Sequence, residues 1–590
     1  MVHSADFRVE RQLLQGTAFA RTYFANANFT THLAVGPGQS YVCAFIGYLF
    51  DLDDLRKQVL SESQGAASVA TSADVFAYMY SRRGTSFLAE TSGSYVFAFW
   101  DIYSATLTLG TDRYGAIPLF YRRSGRQITF ASEIKALLNL ESDPEANLTA
   151  ISEILTLGSP QGEHTTYPHI FRLPSATVIT FHGDETRKER YWWYDQVRPD
   201  INLTVPEFVD ETIRLLGRSV RRLMVQVDRP VCFLSAGYDS RRILVEMARH
   251  GKPIKAYTAP TVQHDSEFTR DVPVAKALCE QLGVAHFSSQ LSPASESGEL
   301  ARRTYTLLDF EADTHSWILP LLQEIPIGEG INFDGLGGDV LYEFNWTHEE
   351  EAAHMHDASW LAQAVLAKFP DLWSAYFKIG PPKPGVAERF EWLFRDIPNI
   401  ADRYTAFYFT NWTRRRTALF AYGLLSLKVE SVFPFLDYDL VDFVFKLAPV
   451  IRRSSEVSRA MLRQLHPELM QAIPTSHDTP VDLADDFAPV AYRDRLPRNY
   501  WLDSQAAMYR AAAADILRAD GVFSQISSRA QAATLAVRTI GTMGYTPHWL
   551  ANRAWTLRPL GLYALQRRTA LDTEAGRLCL DDARRLVYGK

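Results

Sequence analysis

The spacing of hydrophobic residues divides the chain into two regions. From residue 1 to about 195, short apolar runs are separated by Gly, Asp, Ser and Pro, as in YVCAFIGYLF (41–50) and GSYVFAFWD (93–101). Helical spacing appears between such runs, for example in DLDDLRKQVL (51–60). Apolar runs of this length bounded by turn residues are typical of β-strands. We therefore predict that residues 1–195 form an α+β domain, an antiparallel β-sandwich with helices.

A second pattern begins near residue 205, after the turn-rich linker 191–207. An amphipathic helical stretch (206–227) precedes the buried strand RPVCFLS, and a helix, the strand PIKAYTA and a further helix follow. Strands that alternate with helices indicate an α/β doubly wound parallel sheet. From about residue 345 the spacing is mostly helical. We predict a second domain, residues 205–590, with a parallel sheet and a largely helical C-terminal part.

Length, charge and cysteine content narrow the classes of protein. A chain of 590 residues exceeds one ordinary domain. A net charge of -7 and a pI near 6.1 argue against a dedicated nucleic-acid binder. The four cysteines lie far apart with no CxxC pair, which favours neither a zinc site nor a disulfide framework. No signal peptide is evident, and the longest apolar run (41–50) is too short to span a bilayer. We expect a cytoplasmic enzyme with no nucleic-acid or membrane partner.

The segment VCFLSAGYDSRR (231–242) carries the first candidate chemistry. The small residues 235–237 lie between a strand and a helix, where backbone N–H groups and the helix dipole favour an anion. Asp239 follows them, and a carboxylate suits an anion site when Mg²⁺ bridges it to phosphate oxygens. An ordinary strand-to-helix turn with a Ser or Asp cap explains the spacing equally well.

Five segments, in the same order along the chain, resemble the asparagine synthetase superfamily. SAGYDS (235–240) is similar to its SGGxDS pyrophosphate loop, and DRYGAIPLFY (112–121) and FASEIKALL (130–138) resemble the end of its glutamine amidotransferase domain. GLGGDVL (335–341) is similar to GDGADEL, and ESVFPFLDYDLVDF (430–443) to ExRxPFLDxxLVEF. The resemblance implies an amidotransferase-like first domain and an ATP-pyrophosphatase second domain.

The resemblance implies ATP and Mg²⁺ as cofactors. In the family, a substrate carboxylate attacks the α-phosphate of ATP, and an amine then displaces AMP from the acyl-adenylate. The matching positions fall into three groups: pyrophosphate-loop residues, magnesium-holding carboxylates and adenine contacts. They are Ser235, Gly237, Asp239 and Ser240 for pyrophosphate, Asp239 and Asp339 for the metal, and Tyr257 and Thr258 for adenine.

Glu430 matches the family's buried Glu before PFLD. An attacking amine must lose a proton, so a carboxylate within its reach is a candidate general base. A structural ion pair is the alternative for Glu430. Asp437, in the same motif, is expected to cap the following helix.

The first domain departs from the family at its glutaminase residues. The family's nucleophile is a Cys freed at the N-terminus, but this chain begins MVHSADF and its first Cys is Cys43, inside a predicted strand. FIGYLFDLDDLR aligns with FNGEIYNYRELR, so Ile46, Gly47 and Tyr48 replace the glutamine-holding Asn-Gly-Glu. The HRGPD stretch is absent. We expect a first domain without glutaminase activity.

Loss of the glutaminase changes the expected amine. Relatives without it join an amine already on their substrate, as β-lactam synthetases do, but their Tyr before the second metal Asp is Leu336 here. The lasso-peptide macrolactam synthetases fit better by analogy. They imply a small-molecule or peptide substrate and, as a possible partner, a precursor-peptide processing protease.

Two alternatives stay open: an asparagine synthetase that uses free ammonia, and a non-catalytic scaffold derived from a synthetase. The scaffold is suggested by the family Lys that is missing after PFLD. The residues considered as replacements are His477, Arg459 and Arg463.

Overall fold

The computed structural model describes most of the chain up to residue 475. The described residues are 7–14, 17–24, 29–65, 67–138, 147–157, 159–200, 202–260, 271–289, 304, 307–309, 311–312, 318–342, 354, 356–367, 384–452, 455–473 and 475. Within these ranges, no helix is both long and apolar enough to cross a membrane.

The N-terminal region is built on antiparallel sheets, as predicted. A six-stranded sheet has the order β11-β10-β6-β5-β4-β3, and β8-β7-β9 and the hairpin β1-β2 form smaller sheets. The strands are β1 (Phe7–Leu14), β2 (Thr17–Phe24), β3 (Thr31–Val35), β4 (Tyr41–Leu49), β5 (Gly93–Asp101), β6 (Thr106–Thr111), β7 (Phe120–Ser124), β8 (Gln127–Ala131), β9 (Phe171–Arg172), β10 (Thr177–His182) and β11 (Glu185–Arg190). The helices are α1 (Leu52–Glu62), α2 (Ser72–Arg83), α3 (Thr85–Glu90), α4 (Ile134–Leu138) and α5 (Leu148–Leu157).

The second region contains the predicted doubly wound sheet. Its five strands run parallel in the order β14-β13-β12-β15-β16. They are β12 (Pro230–Phe233), β13 (Lys255–Thr258), β14 (Ala285–Ser288), β15 (Ile331–Phe333) and β16 (Glu430–Val432), with helices α6 (Val205–Gln226), α7 (Tyr238–Ala248) and α8 (Asp271–Leu282). The chain returns across the sheet between β12 and β15. Ligands of such sheets bind beside that point, at the carboxyl ends of the strands.

The C-terminal part is largely helical, as predicted. Its helices are Leu319–Glu324, Gly338–Tyr342, Ala358–Ala367, Val386–Asp396, Arg403–Phe407, Tyr438–Val444, Pro449–Arg452, Ser455–Leu465 and Pro467–Ala472. Two further segments, Tyr408–Thr417 and Phe420–Leu424, are π-helices. The confirmed fold is thus an α+β region of antiparallel sheets followed by a parallel-sheet domain with a helical C-terminal part.

Buried arginines of the first π-helix join the two regions. The Arg414 Nε atom donates to the carbonyl of Gly115 at 3.1 Å, and the Arg415 Nε atom to that of Pro160 at 2.9 Å. The Arg415 guanidinium also pairs with Glu311 at 2.7 Å, and both side chains are almost fully buried. Arg172, a third buried arginine, lies close enough for Arg414 and Arg415 to lower its pKa further, after the larger effect of burial. The Glu311 carboxylate therefore balances charge in an arginine-rich contact between the regions.

We expect Glu311→Gln to destabilise the protein by about 3–5 kcal/mol, because it leaves a buried guanidinium without its counter-ion. Urea unfolding followed by circular dichroism measures the change. Glu211→Gln is the control, since its partner Arg214 is largely exposed and such pairs contribute about 1 kcal/mol or less. Equal destabilisation by the two variants would contradict this account.

Candidate active site

The loop after β12 is held in shape by its own serines. The Ser235 N–H donates to the Ser240 hydroxyl at 3.1 Å, and the two hydroxyl oxygens lie 3.1 Å apart. The Gly237 N–H donates to the Ser235 hydroxyl at 3.2 Å. These contacts fold residues 235–237 back onto the first turn of α7, so that the loop has a fixed form before any ligand arrives.

One amide of this loop already binds a carboxylate. The Ala236 N–H donates to Asp271 Oδ1 at 2.8 Å, and Asp271 is the first residue of α8. A backbone N–H that donates to a carboxylate oxygen is the kind of donor that also binds a phosphate oxygen. This amide is thus occupied by a carboxylate of the chain itself, and phosphate binding by the loop stays a prediction.

Asp239 lies against the loop that follows β15. A Cβ atom placed on Gly338 would come within 2.4 Å of Asp239 Cγ, and one on Gly335 within 3.3 Å of Asp239 Cβ. Asp339 follows Gly338 directly in the chain. The structure thus brings the pyrophosphate-loop residues and the loop of the second carboxylate together at the point where the strand order reverses.

Arg242 sits beside Asp239. Its Nη1 atom lies 3.2 Å from Asp239 Oδ1, and its guanidinium packs over the rings of Tyr238 and Tyr342. Arg241 donates to the carbonyl of Ile473 at 2.8 Å. Both arginines are buried. Arg242 therefore supplies a positive charge next to the candidate metal carboxylate.

Asp334 is a site residue that the motif comparison missed. It follows β15 directly and accepts hydrogen bonds from the Leu336 N–H at 2.9 Å and from Asn332 Nδ2 at 3.1 Å. Burial raises the pKa of Asp334 to about 6, the hydrogen bonds oppose that shift, and the negative charge of Asp339 adds to it. Ligands of parallel sheets bind at the carboxyl ends of the strands, and this rule, which pointed to Ser235 after β12, points equally to Asp334 after β15.

The carboxylates of Asp239 and Asp339 are oxygen ligands of the kind that Mg²⁺ prefers, but they do not complete a metal site by themselves. Oxygen ligands suit this ion, which is often bound by one or two carboxylates together with substrate phosphate oxygens. No group of three or more His, Cys, Asp or Glu side chains in the described ranges could hold a metal alone. Asp239 and Asp339 would therefore hold the ion together with a bound nucleotide.

The predicted adenine residues occupy the next strand. The Leu234 N–H donates to the Tyr257 carbonyl at 2.8 Å, so the Tyr257 backbone adjoins the loop. Its phenol hydroxyl instead donates to Glu329, which precedes β15, at 3.1 Å. Thr258 is buried, with its hydroxyl 2.9 Å from His286 Nε2. A nucleotide at the strand ends would meet the backbone of Tyr257 rather than its hydroxyl, and the adenine role of both residues stays a prediction.

Glu430 lies away from these loops. It begins β16 opposite Ile331, at the amino end of the sheet, whereas Asp334 follows the carboxyl end of β15. With a rise of about 3.3 Å per residue, Glu430 is roughly 10 Å along the strand from Phe433. The structure does not group Glu430 with Asp239 and Asp339, and its assignment as general base stays a prediction.

Asp437 caps a helix, as expected. Its carboxylate accepts the N–H groups of Asp439 at 3.1 Å and Leu440 at 3.3 Å, and it pairs with Arg218 and Arg222. His477, proposed as a replacement for the missing Lys, lies outside the described residues. Arg459 and Arg463 belong to the helix Ser455–Leu465, and Arg463 is exposed.

The positions that align with the family's glutaminase residues are part of the core. Cys43 is fully buried in β4, and burial raises the pKa of its thiol far above the usual range. Tyr48, in place of a glutamine-holding Glu, is also buried, and its hydroxyl accepts the Phe433 N–H at 2.6 Å. Tyr48 therefore fastens the first region to the PFLD segment of the second.

Two protein families match the chain: a glutamine amidotransferase domain over residues 34–192 and asparagine synthase over residues 211–320. The glutamine-hydrolysing asparagine synthetase 3 of Bacillus subtilis is 24% identical over 462 residues, 72% of this chain and 73% of the relative. A putative asparagine synthetase 2 of Methanocaldococcus jannaschii is 24% identical over 37% of this chain and 42% of its own length. The amidase chyE of Penicillium rubens is 25% identical over 40% of this chain and 37% of its own length.

Fold, site and matches together define an ATP-dependent carbon–nitrogen ligase with an amidotransferase-like N-terminal region. The two matched domains are those of the asparagine synthetase superfamily, and they support ATP-dependent amidation of the asparagine synthetase type.

We expect Gly338→Ala to reduce AMP formation by about tenfold or more, because the added methyl group must displace the Asp239 carboxylate. Release of AMP from ATP in the presence of Mg²⁺ measures the effect. Gly335→Ala is the matched control, since its methyl group meets Asp239 at 3.3 Å and requires only a small shift. Similar activities of the two variants would argue against close contact between the loops.

Proposed function

We propose that this ligase closes a substrate onto its own amine, and that the reaction is macrolactam formation on a lasso-type precursor peptide. A side-chain carboxylate attacks the α-phosphate of ATP, giving an acyl-adenylate and pyrophosphate. The substrate amine then attacks the acyl carbon, so that the C–N bond forms, the acyl–phosphate bond breaks, and AMP and a proton leave. The amine comes from the substrate because the region that would supply ammonia from glutamine has lost its working residues.

The observation that supports this proposal is the identity and burial of the residues at the positions aligned with the family's glutaminase. An N-terminal nucleophile cannot be generated from Cys43, which lies inside β4 with a buried thiol. The positions aligned with the glutamine pocket carry Ile46 and Tyr48, and the Tyr48 hydroxyl is bonded to Phe433. These side chains serve the core and the contact between the regions, and they offer no group to bind or cleave glutamine.

The adenylation half of the reaction is assigned to the loops after β12 and β15. In the proposal, the Ser235–Gly237 amides and the Ser240 hydroxyl bind the pyrophosphate of ATP, and the Tyr257–Thr258 backbone lies beside adenine. Asp239 and Asp339 would hold Mg²⁺, which neutralises the leaving pyrophosphate. Arg242 keeps Asp239 in place, because its guanidinium pairs with that carboxylate.

Two other functions are weighed against this one. Similarity to the glutamine-hydrolysing asparagine synthetase 3 of Bacillus subtilis favours asparagine synthesis, and the altered glutaminase positions then favour free ammonia as its amine. The missing family Lys favours a scaffold without activity. A peptide substrate would further imply a precursor-processing protease as partner, and a cytoplasmic location remains part of the proposal.

Product analysis separates the candidates. With ATP, Mg²⁺ and a core peptide that bears a free N-terminal amine and an Asp or Glu, we expect AMP, pyrophosphate and a peptide lighter by one water. Asparagine formed from aspartate and ammonium would instead establish the ammonia-dependent enzyme. Absence of both AMP formation and ATP binding would establish the scaffold.

We expect Asp239→Asn to lower AMP formation by about 100-fold or more, because it removes a charge that holds the metal against the pyrophosphate. Asp53→Asn, on the exposed face of α1, serves as the control and is expected to leave the rate unchanged. Full activity of Asp239→Asn would remove Asp239 from the metal site.

A further inference from the structure

The contact between the two regions contains a buried guanidinium without a counter-ion. Arg172 ends β9 in the first region, and its side chain is fully buried. Its Nη2 atom reaches the carbonyl oxygens of Gly115 and Ala116 only at 3.4 Å, and its Nε and Nη1 atoms have no hydrogen-bond partner in the described part of the chain. No carboxylate of the described ranges forms an ion pair with it. Because buried charges are ordinarily paired, Arg172 lacks the partner that its burial requires.

Two neighbouring arginines add to this positive charge. Arg414 donates to the same Gly115 carbonyl at 3.1 Å, and Arg415 follows it in the π-helix. Burial lowers the pKa of Arg172 most, the charges of Arg414 and Arg415 lower it further, and Glu311 opposes the shift. A guanidinium nevertheless keeps its proton in proteins, so the cluster is stabilised by negative charge rather than by deprotonation.

The carboxylates inside this cluster balance two of its three positive charges. Glu311 pairs with Arg415 at 2.7 Å. Asp112 acts on Arg414 through its charge, and its own carboxylate is held by backbone N–H groups. Burial raises the pKa of Asp112 to about 6, so this carboxylate is mostly ionised at pH 7. One positive charge, that of Arg172, is left over.

Two further carboxylates act on the arginines of the π-helix, but both are engaged elsewhere. Glu153 forms an ion pair with Arg389 at 3.4 Å, and Glu163 forms one with Lys188. Each of these pairs is neutral as a whole. Neither carboxylate therefore supplies the negative charge that the cluster lacks.

Arg415 offers a further unused donor. Its Nε and Nη2 atoms are bonded to the Pro160 carbonyl and to Glu311, but its Nη1 atom, also buried, has no hydrogen-bond partner among the described residues. A buried water molecule can satisfy such N–H groups, whereas only an anion also supplies the missing charge. The three guanidinium groups are almost fully buried, so the anion has to be small.

We propose that a small monovalent anion, of the size of chloride, binds to Arg172 and Arg415 in the contact between the two regions. Arg172 belongs to β9 and Arg415 to the π-helix, so the bound anion joins the first region to the second. The site uses none of the residues assigned to ATP, Mg²⁺ or the substrate, and the inference does not rest on the proposed reaction.

Thermal unfolding of the full-length protein tests the proposal. We expect the unfolding temperature to be higher in sodium chloride than in sodium gluconate of the same ionic strength by about 2 °C or more, because an anion that binds only the folded state stabilises it. Gluconate is too large for a site enclosed by buried side chains. The difference should grow with the logarithm of the chloride concentration. Equal unfolding temperatures in the two salts would overturn the proposal.

Variants locate the chloride dependence. Arg172→Met removes the unpaired charge, so we expect no difference between the two salts, and unfolding in gluconate at or above the temperature of the unaltered protein. Arg187→Met, at a side chain that is 80% exposed, is the control and should keep the full difference. Arg172→Lys, which keeps the charge but has fewer donors, covers the case in which Arg172→Met does not fold, and it should need about tenfold more chloride for the same rise. A full chloride difference in either Arg172 variant would sink the inference.

Bromide locates the ion directly, because it replaces chloride and scatters X-rays anomalously. In crystals soaked in sodium bromide, we expect an anomalous peak beside Arg172 and Arg415. A water molecule there and no peak would overturn the site, and a peak without chloride-dependent unfolding would mean an adventitious ion only and would overturn it too. Neither measurement involves ATP or a peptide, so failure here leaves the proposed reaction standing, and absence of cyclised peptide leaves the anion site standing.

Discussion

The pairing of β12 with β15 is the constraint on which the site depends. These parallel strands meet where the order of the sheet reverses, and the register of Val231 opposite Asn332 brings their following loops side by side. The Asn332 side chain, fully buried, secures this pairing: its carbonyl oxygen accepts the Phe233 N–H at 3.0 Å, and its amide donates to Asp334. An apolar residue at 332 would leave the Phe233 N–H without that acceptor.

Because of this register, the loops after β12 and β15 bring their acidic residues close together. The first loop supplies amides and Asp239, and the second supplies Asp334 and Asp339. Several carboxylates in one small volume repel each other, which contributes to the raised pKa of Asp334. Such an arrangement is stable when cations balance it. Arg242 provides one, and a metal ion bound with the nucleotide would provide the rest.

Local patterns predicted much of this architecture. The apolar runs around Cys43 and Cys232 became β4 and β12, and the alternation of strand and helix correctly indicated a parallel sheet. The position of Glu430 was beyond such reasoning, because its partners Phe29 and Thr30 lie about 400 residues away in the chain. A motif gives the identity of a residue and its neighbours in sequence. The edge of the sheet at which its side chain acts depends on where the strand begins, and on what packs there.

The contacts between the two regions make the N-terminal region part of the structure of the synthetase region. Tyr48 bonds to Phe433, the backbone of residues 29 and 30 satisfies Glu430, and the arginines of the π-helix bind carbonyl groups of the first region. Removing that region would break these hydrogen bonds and expose Glu430, the arginines of the π-helix and the side chains packed beside them to water. These contacts give the first region a structural role in the fold of the second.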